Sequence, residues 1–312
     1  MPLLSDYALI PDIFDSSSYS TDEVAGLHLL QLKDVLLSEG VVRDMRDGEW
    51  SRQFEAGPRA WHARGRELLK KLRQQNRLHA RAACLDEAPG CDSTWCQEAL
   101  KGHEEAPLTG IIATHETHQN FKDNSLVARI DKLSSAPWWV GCNPSVRLGR
   151  SIDEYTAQLS LLGRCANSLM FIDPHLESGR GYRDFPRLLQ LAAHRLPAPT
   201  IEVHRICYFD NRDKRDAHPD GAGWRTMFSP WRATLVAAGL RLEVFIWDDF
   251  HDRYVISDLV GISVPYGFDT TSDPNARTTW TRLSRDDRED VQREFDPSSA
   301  RHRLMHRFTV PA

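Results

Sequence analysis

The sequence lacks the features that mark membrane and secreted proteins. Its 312 residues contain no apolar run near the ~20 residues that a transmembrane helix needs. The first residues, MPLLSDYALIPDIFD, carry no basic segment and include Asp6, so they are not typical of a secretory signal peptide. We therefore expect a soluble, cytoplasmic protein that does not enter a membrane.

An excess of positive charge is also missing. The chain has 39 Lys and Arg residues against 44 Asp and Glu residues, a formal net charge of -5. No overall basic field attracts nucleic acid, so such a partner requires a local basic surface. With 41% hydrophobic and 27% charged residues the composition is that of a globular protein, and the length allows two domains or one large one.

Cysteine is sparse, and its spacing does not suggest a disulfide framework. Cys84, Cys91 and Cys96 precede His103, and these four side chains are a candidate tetrahedral zinc site. The spacing lacks the C-x-x-C pair of a zinc knuckle. Three reduced thiols in a turn-rich segment are therefore the simpler interpretation.

Residues 1–148 are predicted to form a largely helical N-terminal region. TDEVAGLHLLQLKDVLLSEG has leucines at near-helical spacing, with Thr21 as a candidate N-cap and Gly40 as a candidate stop. AWHARGRELLKKLRQQNRLHARAA predicts a second helix with a basic outer face. His115 and His118 in THETH could share a ligand, but no third ligand is evident, which favours a surface pair.

Apolar runs alternate with helical patterns after residue 150. We predict strands in SLMFIDPHL, TIEVHRICYFD and LRLEVFIWDD, and helices in SIDEYTAQLSLLGRCA, YRDFPRLLQLAAHR and SPWRATLVAAG. Such alternation is typical of βαβ units. Residues 149–312 are therefore expected to form an α/β domain with a mixed, mostly parallel sheet flanked by helices.

Ionisable side chains follow two of these predicted strands. Asp173 and His175 come after the first strand, while His251 and Arg253 follow the third in WDDFHDRYVISD. Because ligands of open α/β sheets lie beyond the carboxyl ends of the strands, we expect these residues to meet at one edge. An imidazole beside a guanidinium can attack a phosphate and hold its charge, as phosphodiester hydrolysis requires.

The same residues carry a resemblance to a known family. H-x-R-x-x-x-x-D, formed by His251, Arg253 and Asp258, resembles the H-x-K-x-x-x-x-D motif of the phospholipase D superfamily, with Arg in place of Lys. The predicted element order from Ser151 to Arg307 resembles a lobe of that family. DPHL, HDR and GFD also resemble the divergent phospholipase-D-like C-terminal domain of eukaryotic MIT-domain proteins.

The resemblance implies a role for each matching residue. His251 matches the nucleophile that becomes a phosphohistidine, Arg253 the phosphate-binding Lys, and Asp258 the structural carboxylate of the motif. Asp269 in PYGFD stands where active members often have Asn, and its carboxylate would repel a phosphate unless it is protonated or turned away. This histidine route needs no metal ion or other cofactor. The candidate substrate-binding residues are Asp173, Ser263 and Asp269.

Only one copy of the motif was found, whereas active members of the family use two histidines, one to attack and one to donate a proton. The second is either His251 of the partner subunit in a symmetric homodimer or His175 of the same chain. Nucleic acid is the expected substrate because no lipid-binding feature is evident. By analogy alone, a metal-independent nuclease of this kind suits bacterial defence against foreign DNA, and other proteins of such a system are further candidate partners.

A catalytically silent module is the competing interpretation. The MIT-linked relatives resemble this sequence at least as closely as the active enzymes do, and in them the lobe is similar to a binding module. A silent module would use His251 and Arg253 to hold a phosphate ligand, a nucleic acid or a protein partner without turnover.

Overall fold

The structure is a computed structural model that describes residues 3–55 and 59–311. The chain divides into two compact units. The first unit is Leu4–Asn143, and the second is Pro144–Ala312 together with the first three residues. Each unit has a sheet of its own.

The first unit is built on a five-stranded parallel sheet. Its strands are β1 (Ser5–Leu9), β2 (Gly40–Asp44), β3 (Leu78–Arg81), β4 (Gly110–Ala113) and β5 (Val127–Arg129), in the spatial order β3-β2-β1-β4-β5. Its helices are α1 (Asp22–Glu39), α2 (Met45–Arg52), α3 (Ala63–Gln74), α4 (Asp92–Glu105), α5 (His115–Gln119) and α6 (Pro137–Val140).

Helices hold more residues of this unit than strands do, in line with the largely helical prediction, but the sheet between them was not predicted. The α1 helix begins and ends as its sequence indicates. The Thr21 hydroxyl accepts from the Val24 N–H at 3.3 Å, and Gly40 follows the last turn. The strands escaped prediction because they have three to five residues each, and β1, β2 and β4 are buried along their whole length, so none shows a period-two pattern.

The second unit contains an eight-stranded mixed sheet. Its strands are β6 (Ser145–Gly149), β7 (Ser168–Ile172), β8 (Thr200–Ile206), β9 (Leu242–Trp247), β10 (Tyr254–Ser257), β11 (Gly261–Ser263), β12 (Arg277–Arg282) and β13 (Leu304–Val310), in the spatial order β13-β9-β8-β7-β10-β11-β12-β6. Its helices are α7 (Ile152–Cys165), α8 (Pro186–Leu189), α9 (Ala222–Phe228), α10 (Arg232–Ala238) and α11 (Arg285–Glu294).

The predicted mixed α/β sheet with flanking helices is confirmed. Parallel pairing in this unit is limited to its three central strands, β7, β8 and β9, and the remaining neighbours pair antiparallel. The central strands are buried along most of their length on both faces, which is typical of parallel strands covered by helices, although β8 includes the buried polar residues His204 and Arg205.

This topology collects several chain segments at one edge of the second sheet. The three parallel strands end there, and β10 starts there because it runs antiparallel to β7, with Tyr254 opposite Ile172. Over the described ranges, the structure has no helix with the length and apolar character needed to cross a bilayer.

Candidate active site

The carboxyl ends of the parallel strands place several predicted residues at this edge. Asp173 directly follows β7, and His175 comes two residues later. His251 lies in the loop after β9, and Arg253 directly precedes β10. Four residues that are separate in sequence therefore approach one another through strand order alone.

Asp173 lies beneath this edge with no exposed surface. Its Oδ1 accepts from the backbone N–H of His175 at 3.0 Å, and its Oδ2 accepts from that of Phe268 at 3.1 Å. The Tyr182 hydroxyl also bonds to this carboxyl, and Arg253 Nε lies 3.6 Å from Oδ1. Burial raises the pKa of Asp173, against the opposing effect of these partners. Asp173 supports the site from below and, contrary to expectation, has no surface with which to contact a substrate.

Gly267 permits this close packing. Its φ is +67°, and a Cβ atom there would stand 2.0 Å from Asp173 Oδ2 and 3.2 Å from Arg253 Cδ. Only glycine combines a left-handed backbone with the absence of a side chain. The turn after β11 can therefore cover the buried carboxylate only with glycine at this position.

His175 and His251 are both exposed, and they share one electrostatic environment. Desolvation by the surrounding protein lowers the pKa of His175 from its ordinary value. Arg253, Arg205 and His251 lower this pKa further by charge repulsion. The Arg253 guanidinium also donates to the His251 carbonyl at 3.2 Å. The surroundings of His175 thus favour the uncharged form of its imidazole.

An open cavity of about 520 Å³ adjoins these groups. Its lining residues are His175, Glu177, Gly181, Tyr182, Arg205, Phe209 and Asp269. Arg205 is only 1% exposed, and its guanidinium donates to the carbonyls of Ile206 and Leu176 at 2.9 and 3.2 Å. Burial lowers the pKa of Arg205 to about 10, which leaves it charged at neutral pH. Within the described part of the chain no carboxylate forms an ion pair with Arg205, although the charges of Glu177 and Asp173 act on it at longer range.

Asp269 lies in the wall of the same cavity. Arg150 Nη2 contacts its Oδ2 at 2.5 Å, and the Arg150 guanidinium also lies over the Tyr266 ring at 4.8 Å. The repulsion expected between Asp269 and a bound phosphate is thus reduced, because Arg150 balances its charge. No sequence signal could have linked these two residues, which are 119 positions apart.

Asp258 lies at the opposite end of β10 from His251. Its Oδ1 accepts from the backbone N–H groups of Asn167 at 2.9 Å and Ser168 at 3.3 Å, in the segment that enters β7. Five residues of extended chain separate it from Arg253, roughly 16 Å at ~3.3 Å per residue. Asp258 is therefore a structural carboxylate, as the motif implies, and does not belong among the catalytic residues.

Ser263 does not share a face with the motif residues either. It pairs directly with Tyr254 across the antiparallel β10–β11 ladder, and directly opposed residues point to the same side of a sheet. Arg253, one residue before Tyr254, points to the other side. The expectation that Ser263 binds substrate is therefore corrected by the strand register.

The candidate zinc ligands are not assembled. Cys91 is exposed at the start of α4, whereas Cys96 is buried and Cys84 is half-buried. The His103 Nδ1 accepts from the Leu108 N–H at 2.9 Å. Among the residues that the structure describes, no three His, Cys, Asp or Glu side chains are grouped so that they could hold a metal ion.

The histidine pair of the first unit lies on the short helix α5. The His115 Nε2 contacts the Gln119 Nε2 at 2.9 Å, and His118 is partly buried. Both rings line a separate cavity of about 410 Å³ together with Lys122 and Lys132. No third metal ligand joins them within the described ranges.

No protein-family model and no curated protein matches the chain. Among solved structures, it is similar to Nuc, a phospholipase D family member from Salmonella typhimurium, at 12% identity and a TM-score of 0.32, covering 51% of this chain and 97% of Nuc. It is also similar to TrmBL2, an archaeal chromatin protein described as showing a novel mode of DNA binding, at 11% identity and a TM-score of 0.29, covering 77% of this chain and 82% of TrmBL2. Similarities this low support no conclusion about activity or ligand.

Proposed function

We propose that the second unit is a phosphodiesterase of phospholipase D type that acts on nucleic acid through a phosphohistidine, without a metal ion. The observation that carries the proposal is that His175 lines a cavity together with Arg205 and lies close enough to His251 and Arg253 for their charges to lower its pKa. These groups supply two imidazoles for nucleophilic and acid–base steps and the Arg253 guanidinium for the phosphate oxygens, while the buried Arg205 adds positive charge behind them.

The chemistry follows from these positions. A His251 ring nitrogen attacks phosphorus, and an N–P bond forms as the P–O bond to the leaving alcohol breaks. The His175 imidazolium gives its proton to the leaving oxygen. Water, deprotonated by His175, then attacks the phosphohistidine, which releases a phosphomonoester and restores His251. The charge of the bound phosphate favours the protonated form of His175 in the first step and opposes the nearby cations, which lower the pKa of His175.

Either of two histidines can supply the leaving-group proton in this scheme. His175 is the acid we favour because it belongs to the same chain and lines the cavity. The alternative is a homodimer with its site on the twofold axis, where His251 of the partner subunit donates the proton. Roles in the cytoplasm, in defence against foreign DNA and alongside companion proteins remain proposals by analogy.

Hydrolysis in the presence of a chelator tests this function. The full chain should cleave single-stranded DNA in EDTA, and His251→Ala should abolish cleavage. His175→Ala should slow DNA cleavage by about 10²–10⁴-fold, the usual contribution of a general acid. The same variant should lose far less with bis(p-nitrophenyl) phosphate, whose leaving group needs no proton.

His115→Ala is the matched control, since His115 is exposed in the other unit and should leave turnover unchanged. Activity that survives His251→Ala, or that appears only when a metal ion is added, would rule out the phosphohistidine mechanism.

A silent binding module is the second candidate. The observation that favours it is that no carboxylate bonds to the His251 ring among the described residues, whereas histidine nucleophiles and bases are usually oriented by such a partner. In that case the wild-type chain should bind DNA without cleaving it, and His251→Ala should change affinity alone.

A further inference from the structure

We propose that Phe209 is a stacking platform for an unpaired base of a single-stranded nucleic acid, placed beside the phosphate-binding groups. This inference rests on the proposed function, because it concerns the same cavity, and it adds a residue that recognises unpaired bases.

Phe209 is an aromatic side chain that is exposed to water at the edge of the sheet, where its apolar surface is unfavourably hydrated. It follows β8 by three residues, lies at the carboxyl edge of the sheet and lines the cavity together with His175 and Arg205. Its side chain is 52% exposed, in a protein whose other phenylalanines near this edge are buried. A ligand that covers this ring gains the free energy of removing apolar surface from water.

The ring is held in place by the groups behind it. The Arg205 guanidinium carbon lies 5.0 Å from the Phe209 ring centroid, and the Trp224 ring lies 5.5 Å away at an interplanar angle of 34°. Arg205 itself lies over the Trp224 ring at 4.5 Å. Because these contacts restrain the ring, the part of it that stays exposed is a preorganised apolar surface.

The charged residues near Phe209 indicate which other chemical group the ligand carries. Arg205 is buried and makes no ion pair among the described residues, although Glu177 and Asp173 act on its charge at longer range, and the Arg253 Nε lies 3.6 Å from Asp173 Oδ1. A buried cation of this kind is stabilised by an incoming anion. A ligand with a phosphodiester and an adjacent planar ring satisfies both the cations and Phe209, whereas a lipid phosphodiester offers no planar ring.

The platform selects unpaired bases. Stacking tolerates any base, because every base has a π-face. In a duplex, both faces of each internal base are already covered by neighbouring bases. Phe209 therefore predicts preference for single strands over duplexes, with little dependence on base sequence.

Fluorescence anisotropy with the full chain tests the inference, in a His251→Ala background that prevents cleavage. The probes are a labelled oligothymidylate, an abasic tetrahydrofuran strand of equal length, and a duplex. Phe209→Ala should weaken oligothymidylate binding by about 5- to 100-fold, the range for one stacked base, and leave abasic-strand binding unchanged. Phe209→Trp should retain base-dependent binding, and Val236→Ala, an exposed apolar residue on α10, should have no effect.

Two results would overturn the inference: no loss with Phe209→Ala, or an equal loss for the oligothymidylate and the abasic strand. The two proposals can fail separately. If the wild-type chain hydrolyses bis(p-nitrophenyl) phosphate but binds the oligothymidylate and the abasic strand equally, the proposed activity stands and the stacking role is wrong. If the wild-type chain binds the oligothymidylate more tightly than the abasic strand but cleaves no phosphodiester, the stacking role stands and the proposed activity is wrong.

Discussion

At the scale of single residues, His175 is the group whose environment most constrains the chemistry. Desolvation and the charges of Arg253 and Arg205 lower its pKa below the ordinary value of 6.5. If His175 must carry a proton in the free enzyme, kcat/KM for DNA should rise as pH falls below 6.5 towards that lowered pKa. A pH–rate profile measures this, and His175→Ala should lose the acidic limb.

Histidine NMR gives a control for this assignment. Arg253→Gln removes one repelling cation, so the pKa of His175 should rise towards its ordinary value. The His28 ring, in the first unit, serves as the internal reference. If the pKa of His175 is the same with and without the Arg253→Gln substitution, the Arg253 guanidinium does not control the protonation of His175.

The residues of the site differ in how far sequence could reveal them. His251, Arg253 and Asp258 belong to one short motif, and Asp173 and His175 directly follow an apolar strand. The positions of Arg150, Arg205 and Phe209 carry no such signal. Arg205 stands in the predicted strand TIEVHRICYF, and its carbonyl partners become visible only when the chain is folded.

At the scale of elements, β10 explains why the motif residues have separate roles. Arg253 at its start approaches Asp173, which follows the end of β7. Asp258 at its far end accepts from Asn167 and Ser168, which lead into β7. Both ends of the β7–β10 pair are therefore held by a carboxylate, and the spacing of the motif corresponds to one short strand.

The turn that carries Gly267 gives an element-scale prediction. Gly267→Ala should destabilise the protein by more than the ~1–2 kcal/mol that a left-handed alanine costs, because its Cβ also displaces the Asp173 carboxylate. Turnover should fall as well, because Arg253 forms an ion pair with the same carboxylate. Urea unfolding and DNA cleavage measure the two effects.

Gly239→Ala is the matched control. Gly239 has nearly the same φ, +68°, at the end of α10, but a Cβ there meets no atom within 4 Å. This variant should show only the backbone cost and keep full activity. Equal losses of stability in the two variants would mean that the contact with Asp173 is not under steric constraint.

Elements were predictable where local signals are long or continuous. The caps of α1 and the apolar runs of β7, β8 and β9 stand out in the sequence. The five strands of the first unit do not, because three to five residues are too few to establish a period. Strand order and antiparallel neighbours depend on contacts between distant segments, which a single sequence does not display.

At the scale of the whole molecule, the net charge is negative and does not attract the proposed ligand, a nucleic acid. The net charge is -5, and the cavity that holds His175 and Arg205 is also lined by the carboxylates of Glu177 and Asp269. Long-range attraction of a polyanion is therefore weak, and ions screen charge beyond ~8 Å at physiological salt. Binding must depend on short-range contacts at the cavity, which suits a ligand that supplies a stacked base as well as a phosphate.

Whether one chain completes the site is also a question about the whole molecule. With His175 as the acid, each chain contains both histidines, so the initial rate should stay proportional to protein concentration. Adding an excess of His251→Ala chains to wild-type protein should then leave the rate unchanged. A site shared across a twofold axis behaves differently, because mixed dimers hold a single His251 and the added chains would suppress the rate. Rates measured alongside sedimentation of the same mixtures separate the two arrangements, and suppression would assign the proton to His251 of the partner subunit.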